Sequence, residues 1–292
     1  MRFGLFGINV GVCAREPAEA VRVAVTAEAA GWESVWTGEH YVLPDPVVPT
    51  SPARPGTPML DPFVALTNVA ARTTTLLLGT GVTVVPLHAP VILAKKVASL
   101  DRVSGGRFLF GVGVGYLAPE FRAVGVPLAG RGARMDDHLD AMVALWTSDG
   151  PAVHDGPVTA FDDVRAEPPP VQQPHPPLHV GGYAPEAYRR AVTRGRGWYG
   201  YALDPAGTER ALVALRRAEA DHERPAELGP LEVSITPDPG TQVDEATVAA
   251  YAELGVDRLI ALPPRGGAGE GADAQVRFVE EVGERVIARP GA

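Results

Sequence analysis

The sequence predicts an α/β fold: a (β/α)8 barrel, closed by eight parallel strands that are each followed by a helix. Three observations carry this. Short apolar, β-branched runs alternate eight times with amphipathic stretches of helical period. A chain of 292 residues gives each βα unit its usual length. The first strand runs into GINVGVC, which lacks the G-x-G-x-x-G turn that a doubly wound dinucleotide-binding sheet needs there.

Each unit has local punctuation. Strands are expected over 2–8, 33–39, 76–86, 107–115, 176–182, 197–203, 231–237 and 256–262. The helix over 17–31 opens on Pro17 and closes on Gly31, a proline at the first turn and a glycine just past the last. The helix over 61–73 has Asp61 to cap it and Pro62 behind the cap. The helix over 90–106 ends at Gly105-Gly106. Five more are expected over 131–148, 185–195, 204–222, 243–255 and 273–288. The reading is one domain over 1–292 with three insertions. The Pro-rich segment 40–60 and the excursion 116–130 are long enough to serve function rather than mere connection, and 151–177 suits a hairpin.

Composition excludes several classes. The net charge of −9 opposes nucleic acid or an anionic membrane as partner. One cysteine, Cys13, allows no intrachain disulfide and no cysteine-rich metal site. No apolar run approaches a membrane span, and the N-terminus lacks a signal-peptide core, so a cytoplasmic protein acting on a small molecule is expected. The only lysines, Lys95 and Lys96, fall in a helix away from any strand end, which disfavours Schiff-base chemistry. No H-x-x-x-H, H-x-H or C-x-x-C spacing suggests a metal, and no G-x-S-x-G suggests a nucleophilic serine.

In such a barrel the active site lies at the C-terminal strand ends. Strand two delivers Glu39 and His40 there, and an imidazole can carry a proton near neutral pH. His40 is the candidate acid or base. Gly81 and Val82 end strand three, with His88 beyond. Val114, Gly115 and Tyr116 end strand four, with Glu120 beyond. Gly181 and Gly182 end strand five, just ahead of a helix opened by Pro185. Glycine lets backbone approach a ligand closely, and free N–H groups before a helix hold phosphate. His138 suits a structural place in its helix, and His179 lies inside strand five.

EAAGWESVWTGEHYVLPD, the long block from LLLGTGVTVVPLHAP to LDAMVALW, and PPLHVGGYAPEAYRRAVTRGRGW together resemble the luciferase-like superfamily. Within it they are most similar to the probable F420-dependent oxidoreductases. The likeness spans roughly residues 1–200 and implies a barrel, often a homodimer, binding coenzyme F420 or FMN. It implies a non-prolyl cis bond at Gly81–Val82 beneath the ring and a cofactor phosphate held at Val114, Gly115, Gly181 and Gly182. His40 matches a histidine near the reactive ring of sugar-phosphate dehydrogenase relatives. Pro44 and Tyr116 replace those relatives' tryptophan and glutamate, which argues against a sugar-phosphate substrate. His88-Ala89-Pro90 replaces the common Arg-His-Pro. Hydride transfer between F420 and an organic substrate is the leading expectation. An FMN-dependent monooxygenase fed by a separate reductase, and a flavin-binding protein without catalysis, are the alternatives.

Overall fold

The computed structural model describes residues 1–263 and 271–288; the one-domain reading over 1–292 also takes in 264–270 and 289–292, which lie outside these. Eight strands close into a ring, every neighbour parallel: β1 (Arg2–Phe6), β2 (Ser34–Thr37), β3 (Leu77–Thr80), β5 (Phe108–Gly113), β8 (Leu178–Gly181), β9 (Gly197–Tyr201), β10 (Glu232–Thr236) and β11 (Arg258–Ala261), the last pairing back with β1. The third strand is broken. After β3 the Gly81–Val82 bond is cis, a two-residue strand β4 (Thr83–Val84) pairs with β5, and a single tight turn covers 85–87. The unbroken strand expected over 76–86 is corrected on this point.

The outer layer follows the predicted helices. A short α1 (Val12–Arg15) precedes α2 (Pro17–Ala29), whose chain leaves through Gly31 at φ +84°. In α3 (Pro62–Ala70), Asp61 Oδ1 accepts the Val64 N–H at 3.0 Å. Next come α4 (Pro90–Val103), α6 (Arg131–Thr147), α7 (Pro185–Arg194), α8 (Pro205–Asp221), α9 (Glu245–Glu253) and α10 (Asp273–Val282), the last widening into one loose turn, Gly283–Ile287. The excursion over 116–130 contains an unexpected helix, α5 (Ala118–Val124). The insertion over 151–177 holds an antiparallel hairpin, β6 (Ala152–Asp155) with β7 (Ala160–Val164).

The barrel interior is a packed core of Phe6, Trp36, Leu109, Tyr199 and Ile260. Trp36 stacks on Tyr199, ring centres 5.7 Å apart and planes 10° from parallel. Neighbouring strands present glycine where the Trp36 ring and the Thr80 backbone leave no room for a side chain. A methyl group at Gly79 would lie 2.4 Å from the Trp36 ring, and one at Gly111 would lie 1.6 Å from the Thr80 carbonyl oxygen. Below them Arg258, 1% exposed, donates to Glu33 at 2.6 and 2.9 Å and to Ser234 at 2.9 Å. Arg2 and Arg196 bind Glu232 at 3.0 and 3.1 Å. This network fills the N-terminal end of the barrel.

His179 points into this core rather than toward the mouth. It is fully buried, edge-on to Trp36 at 6.0 Å, and neither ring nitrogen has a hydrogen-bond partner among the described residues. Burial, helped by the Arg258 charge, pushes its imidazole down to about 3 from an ordinary 6.5. The folded state therefore refuses a proton that the unfolded chain accepts. Between pH 6.5 and 3 stability falls as pH falls, by up to about 1.4 kcal/mol per pH unit; above 6.5 the group contributes no slope. Denaturant unfolding of wild type and His179→Leu at pH 7, 5.5 and 4.5 checks this: the variant loses that part of the slope.

Candidate active site

The mouth is organised by two carboxylates delivered from different strand ends. Glu39 and His40 follow β2; Glu120 comes from the first turn of α5. Phe121, 1% exposed, packs with Val84 and Leu87 and sets the position of α5. Glu120 is 2% exposed, its Oε2 3.0 Å from His40 Nδ1, and its Oε1 accepts the Tyr41 N–H at 2.6 Å. In its neutral form the imidazole carries its proton on Nδ1, facing that carboxylate, and leaves Nε2 as the acceptor. That Nε2 has no partner among the described residues, and the His40 side chain is 13% exposed. The Tyr116 ring stands edge-on to His40 at 6.0 Å.

Glu39 faces the other way. Its Oε2 accepts the Val84 N–H at 2.6 Å, and its Oε1 lies 3.0 Å from His88 Nε2 and accepts the Tyr41 hydroxyl at 3.3 Å. Glu39 and His88 are buried, so they brace the mouth from behind. Of the four residues expected to line the pocket, Glu39, His88, Tyr116 and Glu120, only Tyr116 is exposed. Burial, then neighbouring Glu39, holds the Tyr41 phenol above its usual range. Burial, then Tyr201 and Glu120, does the same for Tyr116. Both phenols stay protonated near neutral pH and can donate a hydrogen bond there.

Gly81, Val82, Val114, Gly115, Gly181 and Gly182 are all partly exposed at the strand ends. The structure gives the glycines a first task that local sequence does not show. Val82 sends its side chain between β5 and β8, where a methyl at Gly113 would lie 2.5 Å from Val82 Cγ2 and one at Gly181 2.8 Å from Cγ1. Val82 thus forms an apolar floor at the centre of the mouth. Gly115 at φ +73° and Gly182 at φ +123° occupy backbone that L side chains avoid. The N–H groups of Val114, Gly115, Gly182, Tyr183 and Ala184 find no acceptor among the described residues. The last three point the chain into α7, whose first turn has no side-chain cap. Free donors on glycine-shaped backbone beside an apolar floor fit a flat ring with a phosphate tail.

Two further residues lie outside the predicted site set. Asn9, fully buried, donates to the carbonyls of Gly38 and Leu60, 2.8 Å each, and accepts the Gly38 N–H at 3.1 Å. One amide so holds both ends of the 40–60 loop. Tyr201 ends β9 with its ring 5.4 Å from Phe6, and its N–H donates to the Tyr183 hydroxyl at 2.7 Å. Beside it opens a cleft of about 930 Å³ that none of the predicted site residues lines; its walls include Tyr201, Leu262, Phe278 and Val282. An asparagine after the first strand and a tyrosine at the inward register of the sixth barrel strand were the available signals.

The luciferase-like monooxygenase family model matches residues 1–284. The chain belongs to this oxidoreductase family. It is 32% identical over 284 residues to an uncharacterised protein of Mycobacterium tuberculosis, covering 92% of this chain and 93% of the relative. The oxygenase component of flavin-dependent trigonelline monooxygenase from Acinetobacter baylyi is 29% identical over 179 residues, 61% of this chain and 46% of that one. The luciferase-like fold extends to the coenzyme F420-dependent tetrahydromethanopterin reductase of Methanopyrus kandleri, with TM-score 0.76, 17% identity and 98% of each chain covered. Among the described residues no helix is long and apolar enough to cross a membrane, and no three His, Cys, Asp or Glu side chains gather to hold a metal ion.

Proposed function

We propose that this protein transfers a hydride between coenzyme F420 and an organic substrate, with His40 managing the accompanying proton. The His40–Glu120 pair at the mouth, 3.0 Å apart with Nε2 left open, is the observation that carries the reading. Val114, Gly115, Gly181 and Gly182 would hold the phosphate end of the cofactor, and Val82 would support its ring. When bound, the deazaflavin supplies a carbon centre that accepts or gives a hydride. His40 takes a hydroxyl proton at Nε2 as a substrate is oxidised, or returns it when a carbonyl is reduced. Glu120 fixes the imidazole orientation and offsets the positive charge that forms. Tyr116, a protonated phenol edge-on to His40, would hydrogen-bond a substrate oxygen. The sequence likeness to F420-dependent oxidoreductases supports this cofactor, and the shared fold with an F420-dependent reductase accords with it.

A second reading is an FMN-dependent monooxygenase served by a separate reductase; the flavin-dependent trigonelline relative favours it. Titration of the apoprotein with each reduced cofactor separates the two. The expected result is saturable binding of reduced F420, with FMN at least about tenfold weaker, a difference of 1.4 kcal/mol. Tight FMN binding without F420 binding transfers the assignment to the oxygenase reading. Binding of neither removes the redox assignment.

A further inference from the structure

We propose that Arg131 and Trp198 are positioning residues for a phosphate berth: each holds the carbonyl of a cradle glycine and so turns the next N–H, of Tyr116 and of Tyr183, toward the anion. The proposal rests on the reading of the mouth as a cofactor site and names the side chains that shape its phosphate end.

Two hydrogen bonds of the same kind flank the mouth. Arg131 Nε donates to the Gly115 carbonyl at 3.0 Å. Trp198 Nε1 donates to the Gly182 carbonyl at 2.9 Å. Both glycines have positive φ, +73° and +123°, and glycine backbone is free to present either a carbonyl oxygen or an N–H to its surroundings. A carbonyl oxygen turned to a phosphate would repel it. The Gly115–Tyr116 and Gly182–Tyr183 bonds are trans, and in a planar trans peptide the N–H points opposite to the C=O. Fixing each carbonyl on a side-chain donor therefore fixes the following N–H on the other side of the chain. Neither the Tyr116 nor the Tyr183 N–H finds an acceptor among the described residues.

The two donors are themselves fixed. Trp198 is fully buried, on the face of β9 opposite the core residue Tyr199, with its ring 5.6 Å from that of Tyr188 in α7. An indole has a single donor, and here the Gly182 carbonyl takes it. Arg131 opens α6 directly after Gly130, whose φ is +72°. A cation at the positive end of a helix is unfavourable by itself, and no acidic residue stands in that first turn. The carboxylates further along α6 are engaged elsewhere: Asp136 with Arg189 and Arg190, Asp137 with His154, and Asp140 with Arg194. The other contact of the Arg131 guanidinium is Nη1 to the Leu128 carbonyl, at 3.5 Å. Carbonyl oxygens offset only part of a full positive charge, so Arg131 adds attraction for an anion at the same place where it aligns the backbone.

The test measures what the phosphate adds to binding. Reduced F420 and reduced FMN are each titrated beside a phosphate-free core, the reduced deazaflavin core and reduced riboflavin. Wild type is expected to bind the phosphate-bearing member of a pair at least about thirtyfold more tightly. Arg131→Ala is expected to cut that gain about tenfold and Arg131→Lys to keep it within about threefold. Trp198→Phe, which retains a ring against Tyr188, is expected to cut it about fivefold. Binding of the phosphate-free core is expected to hold in every variant. General packing damage would weaken both members of a pair alike, so the ratio separates backbone alignment from a merely structural role. Far-UV circular dichroism verifies that each variant is folded. No gain in wild type, or a gain unchanged in both Arg131→Ala and Trp198→Phe, overturns the proposal; a gain lowered in one of them alone strikes the other residue from it. If neither ring binds wild type, inorganic phosphate at fixed ionic strength decides. A Tm raised by phosphate in wild type but not in Arg131→Ala keeps the berth while the redox reading falls, and no rise in wild type overturns both.

Discussion

Replacing His40 with alanine lowers kcat by about 10²–10⁴-fold while cofactor affinity stays within about threefold. The expected split follows from the geometry. The free donors that fit a phosphate tail belong to Val114, Gly115 and Gly182, and the apolar floor belongs to Val82, so deleting the imidazole removes proton transfer and leaves the cradle intact. Glu120→Gln separates orientation from charge. Glutamine keeps one oxygen for His40 but no longer offsets an imidazolium, so kcat falls by about 10–10²-fold, less than in the alanine variant. Single-turnover kinetics with the cofactor selected by titration, on wild type and both variants, checks the order. Full turnover in His40→Ala would remove the imidazole from the reaction.

Gly111→Ala is expected to be the most destabilising single methyl group in the barrel. Its Cβ would stand 1.6 Å from the Thr80 carbonyl oxygen, a backbone atom that cannot rotate aside. Overpacking of side chains costs about 1–3 kcal/mol, and here strand β3 itself has to move, so a loss of at least about 3 kcal/mol is expected. That is a large share of the about 5–15 kcal/mol by which a typical fold is stable. Gly79→Ala places its methyl 2.4 Å from the Trp36 ring and is expected to cost about 2 kcal/mol, because a side chain can shift where a carbonyl cannot. Denaturant unfolding of the two variants tests the ranking. Relief of the Gly111 clash would also displace Thr80 and the Gly81–Val82 bend, so cofactor affinity should fall in that variant and hold in Gly79→Ala.

The parts of the fold legible in the sequence are those set by neighbours along the chain. Asp61 with Pro62, Pro17 with Gly31, and Gly105 after α4 mark helix ends through contacts a few residues apart, and the structure places helix ends there. The alternation of runs gave eight strands and their closure. What local reading missed depends on partners far along the chain. The need for glycine at position 79 comes from Trp36, across the β2–β3 pair, whose ring occupies the place a side chain would take. Glu39 reads as a pocket residue until His88, 49 positions on, is found beside it. α5, only seven residues long, gives too little periodicity to stand out from a loop, yet it carries Glu120 to His40. Resemblance pointed to the Gly81–Val82 bond; composition and spacing alone did not.

The amide of Asn9 draws the two ends of the stretch 39–59 together at one neck, through Gly38 and Leu60. Beyond Glu39, His40 and Tyr41, which are tied to the mouth, lengthening the rest of that stretch adds little closure entropy, since that term grows only with the logarithm of loop length. The stretch from 42 to 58 is therefore a natural graft point, where a redesigned segment could recast what the enzyme admits while the strands that carry its chemistry keep their register.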